Sequence, residues 1–583
     1  MASSKAWHLK TPDLKRQQLL SEALKISPII AQILINRGLD APEEVRSFLN
    51  PSLKDLPNPF LLPDMEKGID RIIRAIQTKE TIAIYGDYDV DGISSTALLS
   101  TYFREIGIEV VPYIPDRLKE GYGVSTKAME EFAEKNIPLV ITADCGTKSH
   151  EAVSLAKKLG LDVIVTDHHQ LDSSHPPAFA FINPQRLEKG AAGQELAGVG
   201  VAFFLLMALR QKMRLLHLFP SEEPNLKRHL DLVALGTIGD LAPLTGINRV
   251  LVSFGLKELA QTTKPGFIAL KEICRLDNAK TIDPSDIGFR IGPRINAGGR
   301  ISKASLGLDL LCTTDLERAR KLAKILDQCN QDRQSMQEKH VEEALEQVGT
   351  KSTRFGLVVS SGKWHPGIVG LVASKLAEKF YRPSIALSIE GKVARGSARS
   401  IPGIHIVEVL EGCTDLLEQF GGHAAAAGLT VSLDKLNLFE ERFEIILSQK
   451  ISETMSIPSL IVDCELGLKE IEEKLLDELE FLKPFGSKNP EPVFVSRQLK
   501  LMDARIVGEY HLKFRVGQEQ TEMEAIAFNM ASHHPFQTDL GDIVFVPQWN
   551  TFQGTKTIQI KVKDLKAGTK KEPLTHCVKI GSI

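Results

Sequence analysis

The stretch TIAIYGDYDVDGISSTALLS, residues 81–100, places three aspartates within five residues, Asp87, Asp89 and Asp91. They follow an apolar run, residues 81–85, that is typical of a buried strand, and they precede small residues that predict the start of a helix. A strand, a loop and a helix in this order form the repeating unit of a parallel sheet. Because a buried carboxylate is costly unless a positive group accompanies it, the crowding indicates a cation partner.

The length and composition of the chain limit its class. At 583 residues it is too long for one core, and its 43% hydrophobic and 25% charged residues are those of an ordinary globular protein. A net charge of −3 argues against a uniformly basic nucleic-acid coat but allows a local basic channel. The seven cysteines form no CxxC pair, which favours reduced thiols over disulfides or a zinc site.

The distribution of apolar residues predicts a cytoplasmic protein. The N-terminus MASSKAWHLK lacks the apolar region of a secretory signal. The longest apolar run, residues 201–209, falls far short of the roughly 20 residues that a membrane span needs. We therefore expect no membrane association.

Strand-like and helix-like patterns divide the chain into predicted domains. Between residues 82 and 240 short apolar runs alternate with amphipathic stretches, which predicts a mostly parallel sheet. The predicted organisation is an N-terminal segment (1–55), a parallel-sheet α/β domain (56–312), a long connecting helix (313–350), a second α/β domain (351–452), a C-terminal β-barrel of the OB type (453–570) and a tail (571–583).

Further acidic residues and two histidines follow the other predicted strands. Asp144 follows LVITA, the run Asp167, His168 and His169 follows VIVT, and Asp240 ends another apolar segment. The carboxyl ends of parallel strands meet at one edge of a sheet, so these side chains should converge. Carboxylates and imidazole without thiolate favour Mn²⁺ or Mg²⁺. Two such ions about 3.5–4 Å apart clamp both oxygens of a phosphoryl displacement, so the cluster suggests a two-metal phosphohydrolase.

Longer motifs add a family resemblance. YGDYDVDG, TADCG, DHH and GTIGDLAPL resemble, in this order, the four motifs of the DHH phosphoesterase superfamily. GPRINAGGR, GSARS and FGGHAAAAG narrow the resemblance to the RecJ family of bacterial single-strand-specific exonucleases, and KPFGSKNPEPVF resembles the start of that family's OB domain. The resemblance extends from about residue 45 to residue 565.

The resemblance implies 5′→3′ removal of mononucleotides from single-stranded DNA with Mn²⁺ or Mg²⁺, in DNA repair and recombination. Asp144 would bridge the two ions, Asp167 would orient a neighbouring imidazole, and His169 would face the scissile phosphate. The other implied metal ligands are Asp89, Asp91, His168 and Asp240.

One position departs from the family pattern. Tyr85 stands where some members have a histidine, four residues before the first motif aspartate. Asp87 is the candidate replacement, as a direct ligand or through water.

Several basic and small residues form a second set of candidates. Arg294 and Arg300 lie in a predicted glycine-rich loop, either as an ordinary turn or as a phosphate clamp, since a guanidinium fork matches phosphate oxygens. The resemblance assigns such groups to the terminal 5′-phosphate and the nearby backbone. The remaining members of this set are Arg117, Arg333, Ser397, Arg399, Ser400 and His423.

Other side chains keep two interpretations. The alanines around His423 allow close approach of a nucleotide backbone or tight packing of a helix on a sheet. Trp364, with His365, could stack on a base or be buried.

Two alternative functions use parts of the same sequence. A phosphodiesterase of short or cyclic oligonucleotides would need the metal core but not the long helix and barrel. A non-catalytic DNA-binding scaffold would not need the acidic and histidine ligands that this chain retains. The expected partners are single-stranded DNA, a single-strand-binding protein and a helicase, with the chain itself a monomer.

Overall fold

The computed structural model describes residues 5–116, 120–121, 123–277, 279–351, 353–451, 457–536, 538–552 and 555–567. The chain divides into two compact units. The larger unit comprises Pro51–Ile446 and Gly486–Lys488. The other comprises both ends of the chain, Met1–Asn50, Leu447–Phe485 and Asn489–Ile583. Each unit has its own hydrophobic core.

The N-terminal segment consists of one strand and three helices. Ser27 caps the second helix by accepting a hydrogen bond from the amide of Ile30, and Pro28 occupies its first turn, where the missing N–H costs nothing. The elements are β1 (Ala6–Leu9), α1 (Leu14–Leu24), α2 (Pro28–Asn36) and α3 (Pro42–Leu49).

The larger unit begins with a five-stranded sheet in which every strand is parallel to its neighbours. Its elements are α4 (Met65–Thr78), β2 (Ile82–Gly86), α5 (Val90–Glu105), β3 (Val110–Tyr113), α6 (Thr126–Glu134), β4 (Leu139–Ala143), α7 (His150–Lys158), β5 (Asp162–Thr166) and β6 (Ala180–Ile182). The strand order is β3-β2-β4-β5-β6. One core lies against α5 and the other against α6 and α7, so the sheet is covered on both faces as a parallel sheet requires.

A mainly helical region follows this sheet. Its helices are α8 (Gly198–Leu215), α9 (Leu230–Gly239), α10 (Gly246–Gln261), α11 (Pro265–Ile273), α12 (Pro284–Asp286), α13 (Gly292–Ile301), α14 (Ser305–Cys312) and α15 (Leu316–Val348). The last is the predicted long helix. Asp315 caps it by accepting hydrogen bonds from the amides of Glu317 and Arg318.

The predicted glycine-rich loop around Arg294 and Arg300 is wrong. These residues lie in α13, which directly follows a π-helical turn, Ile287–Ile291. The glycines serve close packing instead: a Cβ at Gly298 would lie 3.0 Å from Leu326 of α15, and one at Gly299 would lie 3.1 Å from the carbonyl oxygen of Tyr88.

A second five-stranded sheet of mixed direction completes the larger unit. Its elements are β7 (Leu357–Ser361), α16 (Val369–Phe380), β8 (Ser384–Glu390), β9 (Val393–Arg399), α17 (Ile406–Glu411), β10 (Leu417–His423), β11 (Ala426–Ser432) and α18 (Leu436–Lys450). The order is β10-β11-β9-β8-β7, with β7 and β8 parallel and the other pairs antiparallel.

Two open interpretations are decided in this region. The alanines after His423 belong to the hairpin of β10 and β11, so packing of a helix on a sheet is wrong. Trp364 is 2% exposed and its Nε1 donates to Glu343 at 2.8 Å, which rules out base stacking by its ring.

The C-terminal region folds into a barrel, which shares the core of the smaller unit with the N-terminal helices. Its elements are β12 (Ser459–Val462), β13 (Cys464–Glu465), α19 (Glu473–Glu480), β14 (Phe494–Val507), β15 (His511–Gln518), β16 (Thr521–Ala527), β17 (Leu540–Phe552) and β18 (Thr555–Ala567). The sheet order is β13-β14-β15-β16-β18-β17, and a further pairing of β14 with β17 closes the barrel. Strand β1 pairs in parallel with β12, and α2 buries Ile30, Ile33 and Leu34 in the core that the barrel supplies.

Short helical turns connect the elements. They are Leu53–Asp55, Pro59–Leu61, Pro184–Arg186, Leu226–His229, Gly349–Lys351, Thr414–Leu416, Leu433–Lys435, Leu468–Glu470 and Ala531–His533. Within the described residues, no single helix is long and apolar enough to cross a membrane, although the bent pair α1–α2 reaches that length and hydropathy together.

Candidate active site and metal centre

The acidic side chains converge at the carboxyl edge of the parallel sheet. Asp87 follows β2, Asp144 follows β4 and Asp167 follows β5, and these three strands are direct neighbours. The convergence predicted from these three strand-end positions is therefore present. All three carboxylates are buried. The expected strand before Asp240 is wrong, because Asp240 caps the C-terminal end of helix α9.

Helix N-termini hold the next two aspartates. Asp89 caps α5 by accepting hydrogen bonds from the amides of Asp91 (2.9 Å) and Gly92 (3.1 Å). Asp91 accepts from the first amides of α8, those of Gly198 (2.7 Å) and Val199 (2.9 Å). Exposed amides and the helix dipole both favour a carboxylate at such a position.

Three groups of side chains have ligand atoms within 4.8 Å of one another and could hold metal ions. The groups share Asp144 and His168 between them. They are Asp87 with Asp89 and Asp144, Asp91 with His168 and Asp240, and Asp144 with His168 and His169. The sequence-predicted ligands are thus brought together, and Asp144 belongs to two of the three groups.

Several of these atoms fit a cation because nothing else satisfies them. Asp87 Oδ1, Asp144 Oδ1 and His168 Nε2 are buried and have no hydrogen-bond partner within the described part of the chain. His168 Nε2 and Asp144 Oδ1 lie 3.1 Å apart, but they are not aligned as a hydrogen bond. Buried polar atoms of this kind need an explanation, and a divalent cation held by these residues would supply one.

The protonation equilibria of the cluster support the same conclusion. Burial, with the charge of neighbouring carboxylates, raises the pKa of Asp87 to about 8 and the pKa values of Asp91 and Asp240 to about 7. The same causes raise the pKa of Asp144 well above its ordinary value. Burial lowers the pKa of His168, which favours the neutral imidazole that binds metals. Divalent cations offset the repulsion among the carboxylates.

The backbone around Asp144 is shaped for close approach. Asp144 has φ 65°, a left-handed conformation that is unusual for a residue other than glycine and that concentrates at functional sites. A Cβ at Gly198 would lie 2.5 Å from Asp144 Oδ1, and a Cβ at Gly236 would lie 2.6 Å from Asp91 Oδ1. Both glycines therefore leave the space that the carboxylates occupy.

Asp167 fixes the second histidine. Its Oδ1 lies 2.7 Å from His169 Nδ1, and its Oδ2 accepts a hydrogen bond from the Thr147 amide at 2.8 Å. Burial alone raises the pKa of Asp167, but these hydrogen bonds and the neighbouring imidazoles hold it well below the ordinary range. Burial lowers the pKa of His169, but Asp167 outweighs this effect and raises it to about 9.

Tyr85 takes no part in the cluster. Strand alternation turns its side chain toward α6 and α7, where it stacks on Tyr113 at 5.2 Å. Its hydroxyl donates to the carbonyl of Gly123 at 3.0 Å and accepts from the amide of Ser125 at 3.3 Å. Asp87, the expected replacement ligand, does lie in the cluster, in one group with Asp89 and Asp144.

Two clefts meet at His169 and His423, which line both. The first cleft, of about 840 Å³, is also lined by Tyr88, Lys148 and Phe420. The second cleft, of about 1000 Å³, is also lined by His168, Asp240 and Leu241. The acidic cluster thus opens into both clefts, one on each side of His169 and His423.

Three basic and hydroxyl side chains of the second candidate set meet at the start of α16. Arg300 Nη1 donates to the carbonyl of Gly367 at 3.2 Å. A Cβ at Gly370 would lie 3.1 Å from Arg399 Nη2 and 3.4 Å from Ser397 Oγ. We call Arg300, Ser397 and Arg399 the clamp.

The remaining members of that set are placed differently. Arg294 Nε pairs with Asp327 Oδ1 at 2.8 Å, and Arg333 donates to Asn330 at 2.6 Å and to Gln337 at 2.9 Å. The Ser400 hydroxyl donates to the carbonyl of Ile404 at 2.7 Å. Arg117 lies outside the described residues.

Sequence reasoning missed several groups at this site. The amides of Gly198 and Val199 hold Asp91 from more than 100 residues away, and no local signal marks them. Lys148 and Tyr88 line the first cleft. Tyr88 lies inside the DYDVD motif and Lys148 shortly after TADCG, so attention to the non-acidic residues in and beside each motif would have found them.

Three stretches of the chain match known protein domains. Residues 81–237 match the N-terminal domain of the DHH family, residues 354–449 the DHHA1 domain, and residues 462–564 the RecJ OB domain. Over 569 residues the chain is 34% identical to the single-stranded-DNA-specific exonuclease RecJ of Haemophilus influenzae, across 94% of this chain and 98% of that protein. The chain belongs to the RecJ family.

Other RecJ proteins agree with this assignment. RecJ of Bacillus subtilis is 38% identical over 536 residues, which are 91% of this chain and 66% of that protein. The crystal structure of Thermus thermophilus RecJ with Mn²⁺ superimposes with a TM-score of 0.84 at 28% identity, covering 97% of this chain and 80% of that one. The Mg²⁺ complex of the same protein gives 0.76 at 28% identity, covering 97% and 79%.

These likenesses confirm the predicted family and fold class: an α/β chain with a parallel-sheet DHH domain, a long connecting helix, a second α/β domain and an OB-like barrel. The predicted choice of Mn²⁺ or Mg²⁺ agrees with the metals of the RecJ structures and with the donor set found here.

Proposed function

We propose that this chain is a metal-dependent exonuclease that degrades single-stranded DNA 5′→3′ to 5′-mononucleotides, in DNA repair and recombination. The observation that carries the proposal is the cluster of three ligand groups linked by Asp144 and His168, which opens toward clefts on either side of His169. The relatives named single-stranded-DNA-specific exonuclease support the same substrate and reaction.

The proposed ligands divide between two ions. Asp87, Asp89 and Asp144 would hold one, and Asp91, His168 and Asp240 would hold the other. Asp144 is the proposed shared ligand because its Oδ1 lies 3.1 Å from His168 Nε2. When bound, divalent cations polarise a phosphoryl oxygen and lower the pKa of a bound water. The chain's contribution is to fix the ligands: α5 and α8 hold the carboxylates through backbone amides before any substrate arrives.

His169 is the proposed catalytic partner of the phosphate. Asp167 holds its Nδ1, and the ring lines both clefts, so the imidazole reaches a phosphate placed between them. From there it stabilises charge on the phosphate or helps to transfer a proton. Asp167 acts through this ring as a positioning residue.

The clamp is the proposed site for the 5′-phosphate. Two guanidinium groups and a hydroxyl lie beside the N-terminus of α16, where exposed amides and the helix dipole favour an anion. His423 would contact the strand at the junction of the clefts. Arg294, Arg333 and Ser400 are proposed as further contacts to the strand, away from the start of α16: Arg294 pairs with Asp327, Arg333 donates to Asn330, and Ser400 donates to the carbonyl of Ile404.

The two alternative functions find less support. A phosphodiesterase for short or cyclic oligonucleotides has no use for the OB domain that matches residues 462–564. A non-catalytic scaffold does not explain three buried, unsatisfied ligand atoms at one sheet edge.

A time course on 5′-labelled DNA tests the proposal. With Mn²⁺ or Mg²⁺ the full chain should release labelled mononucleotides from single strands, and EDTA should stop the reaction. Blunt duplex of the same sequence and a cyclic dinucleotide are the controls. Faster hydrolysis of the cyclic dinucleotide than of single strands would favour the phosphodiesterase, and metal-independent DNA binding without products would favour the scaffold.

Some finer expectations stay predictions. They are association with a single-strand-binding protein and a helicase, a monomeric state, a cytoplasmic location, and domain boundaries near residues 55, 312, 350, 452 and 570. Sedimentation of the purified chain and pull-down with each partner would test the first two.

A further inference from the structure

Leu241 exposes a large apolar side chain beside the proposed metal ligands. It directly follows Asp240, its side chain is 74% exposed, and its φ of 59° lies in the left-handed region. The left-handed conformation ends α9, because the amides of Leu241 and Ala242 donate to the carbonyls of Ile238 and Thr237. The exposed apolar side chain has no such local explanation, and it lines the second cleft.

The surroundings of Leu241 suit a nucleotide. The second cleft places Leu187 and Pro243 near it as further apolar surface, and it also contains Lys189 and Gln170. In single-strand binding sites the bases pack against side-chain faces and basic side chains contact the phosphates, so binding does not depend on the base sequence. The cleft is continuous with His168 and Asp240 of the proposed metal centre.

The clamp lies toward the other cleft. Ser397 pairs across the sheet with Gly428, which lines the first cleft, so both residues face the same side of β9 and β11. Tyr88 lines the same cleft, and its carbonyl oxygen is close to Gly299, the residue before Arg300. A 5′-phosphate held by the clamp therefore puts the terminal nucleotide in the first cleft.

The path of the remaining strand follows from this placement. The scissile phosphate must lie at the metal ligands, between the clefts, so the nucleotides beyond it enter the second cleft. We propose that Leu241 packs against the base of the second nucleotide and thereby fixes the register of the strand. This inference rests on the proposed exonuclease function.

A double-mutant cycle that combines a substitution in the protein with the loss of one base in the substrate tests the inference. Leu241→Ala is compared with the full-length wild type on 5′-phosphorylated single strands that are intact or carry one abasic site at nucleotide 1, 2 or 3. Losing the contact should raise KM about five- to tenfold on the intact strand. The abasic site at nucleotide 2 should raise the wild-type KM by a similar factor. The KM of the Leu241→Ala variant should be the same on this abasic strand as on the intact strand.

Matched variants separate this contact from general damage. Leu215→Ala removes a similarly exposed leucine, 72% exposed, that lines neither cleft, and should leave KM unchanged on every strand. Leu241→Met keeps an apolar side chain and should restore most of the wild-type KM.

The outcomes are distinguishable. Equal losses by Leu241→Ala on intact and abasic strands, or coupling confined to nucleotide 1 or 3, would overturn the contact and the strand path. A wild type that releases no mononucleotides from the intact strand would instead overturn the proposed function.

Discussion

The two five-stranded sheets of the larger unit contribute to the site in opposite ways. The parallel sheet supplies buried carboxylates from the ends of three neighbouring strands, and one of them, Asp167, is fixed by the Thr147 amide and the His169 ring. The mixed sheet supplies Ser397 and Arg399 along β9 and the exposed His423 at a hairpin. Buried negative charge needs a permanent cation, whereas half-buried positive charge suits a ligand that arrives and leaves. In the proposed function the first sheet therefore performs the chemistry and the second binds the DNA end.

The largest effect should come from Asp144→Asn at the carboxyl end of β4. Loss of the shared ligand should lower kcat by at least about 10³-fold, as expected when several kcal/mol of charge stabilisation disappear. In EDTA the unfolding midpoint should be no lower than that of wild type, because a neutral amide relieves carboxylate repulsion. Mn²⁺ should raise the wild-type midpoint but not that of the variant.

Asp172→Asn, an exposed aspartate beyond the same sheet edge, is the control and should retain both the activity and the Mn²⁺ shift. Near wild-type turnover of Asp144→Asn in saturating Mn²⁺ would mean that the parallel sheet does not supply the shared ligand.

A smaller loss is expected from Asp167→Asn, which acts through the His169 ring. Replacing a residue that orients a functional side chain typically lowers activity about 10–100-fold. The effect should fall on kcat, with the Mn²⁺ dependence little changed. In a His169→Ala background the same substitution should cost nothing more, because the ring it positions is gone. Independent, multiplicative losses would show that Asp167 has a second role, for example through the Thr147 amide.

The mixed sheet should affect selection of the DNA end rather than chemistry. Arg399→Ala should lower the preference for 5′-phosphate over 5′-hydroxyl strands by about 10–100-fold, since a charge-assisted hydrogen bond contributes about 1.5–3 kcal/mol. Arg399→Lys should recover part of it, as the charge remains but the fork is lost. Arg395→Ala, an exposed arginine on the same strand, is the matched control. An unchanged preference in Arg399→Ala would place the clamp elsewhere.

The acidic cluster was predictable because its geometry is local. A residue directly after a buried parallel strand must lie at the carboxyl edge, so Asp87, Asp144 and Asp167 could be placed without coordinates. The structure around the clamp residues was harder to predict from the sequence. Glycines suggested a loop around Arg300, but the chain uses them to pack α13 against α15 and against Tyr88.

Long-range partners explain most of what the sequence could not show. Arg294 pairs with Asp327, and no pattern links two positions on separate helices. The N-terminal segment shares a core with the C-terminal barrel: β1 pairs with β12, and Trp7 Nε1 donates to Asp564 at 2.7 Å. Amphipathic periodicity shows that α2 has an apolar face but not which distant element covers it.

The smallest effect should come from Tyr85→Phe, which tests whether every residue beside the motif belongs to the chemistry. The Tyr85 hydroxyl serves only the fold here, bonding to Gly123 and Ser125 on the face of the sheet that packs on α6 and α7. Removing it leaves the Ser125 amide without this acceptor, so the free energy of unfolding should fall by about 1 kcal/mol. Denaturant unfolding measures that loss, and kcat on 5′-phosphorylated strands should change by less than about twofold. Tyr113→Phe, on the ring stacked against it, should behave alike because its hydroxyl bonds to Glu120, also away from the cluster. A large fall in kcat for Tyr85→Phe, with stability intact, would show that the position occupied by histidine in related sequences still acts on the metal centre. The division between a face that stabilises the sheet and an edge that performs the chemistry would then be wrong at this strand.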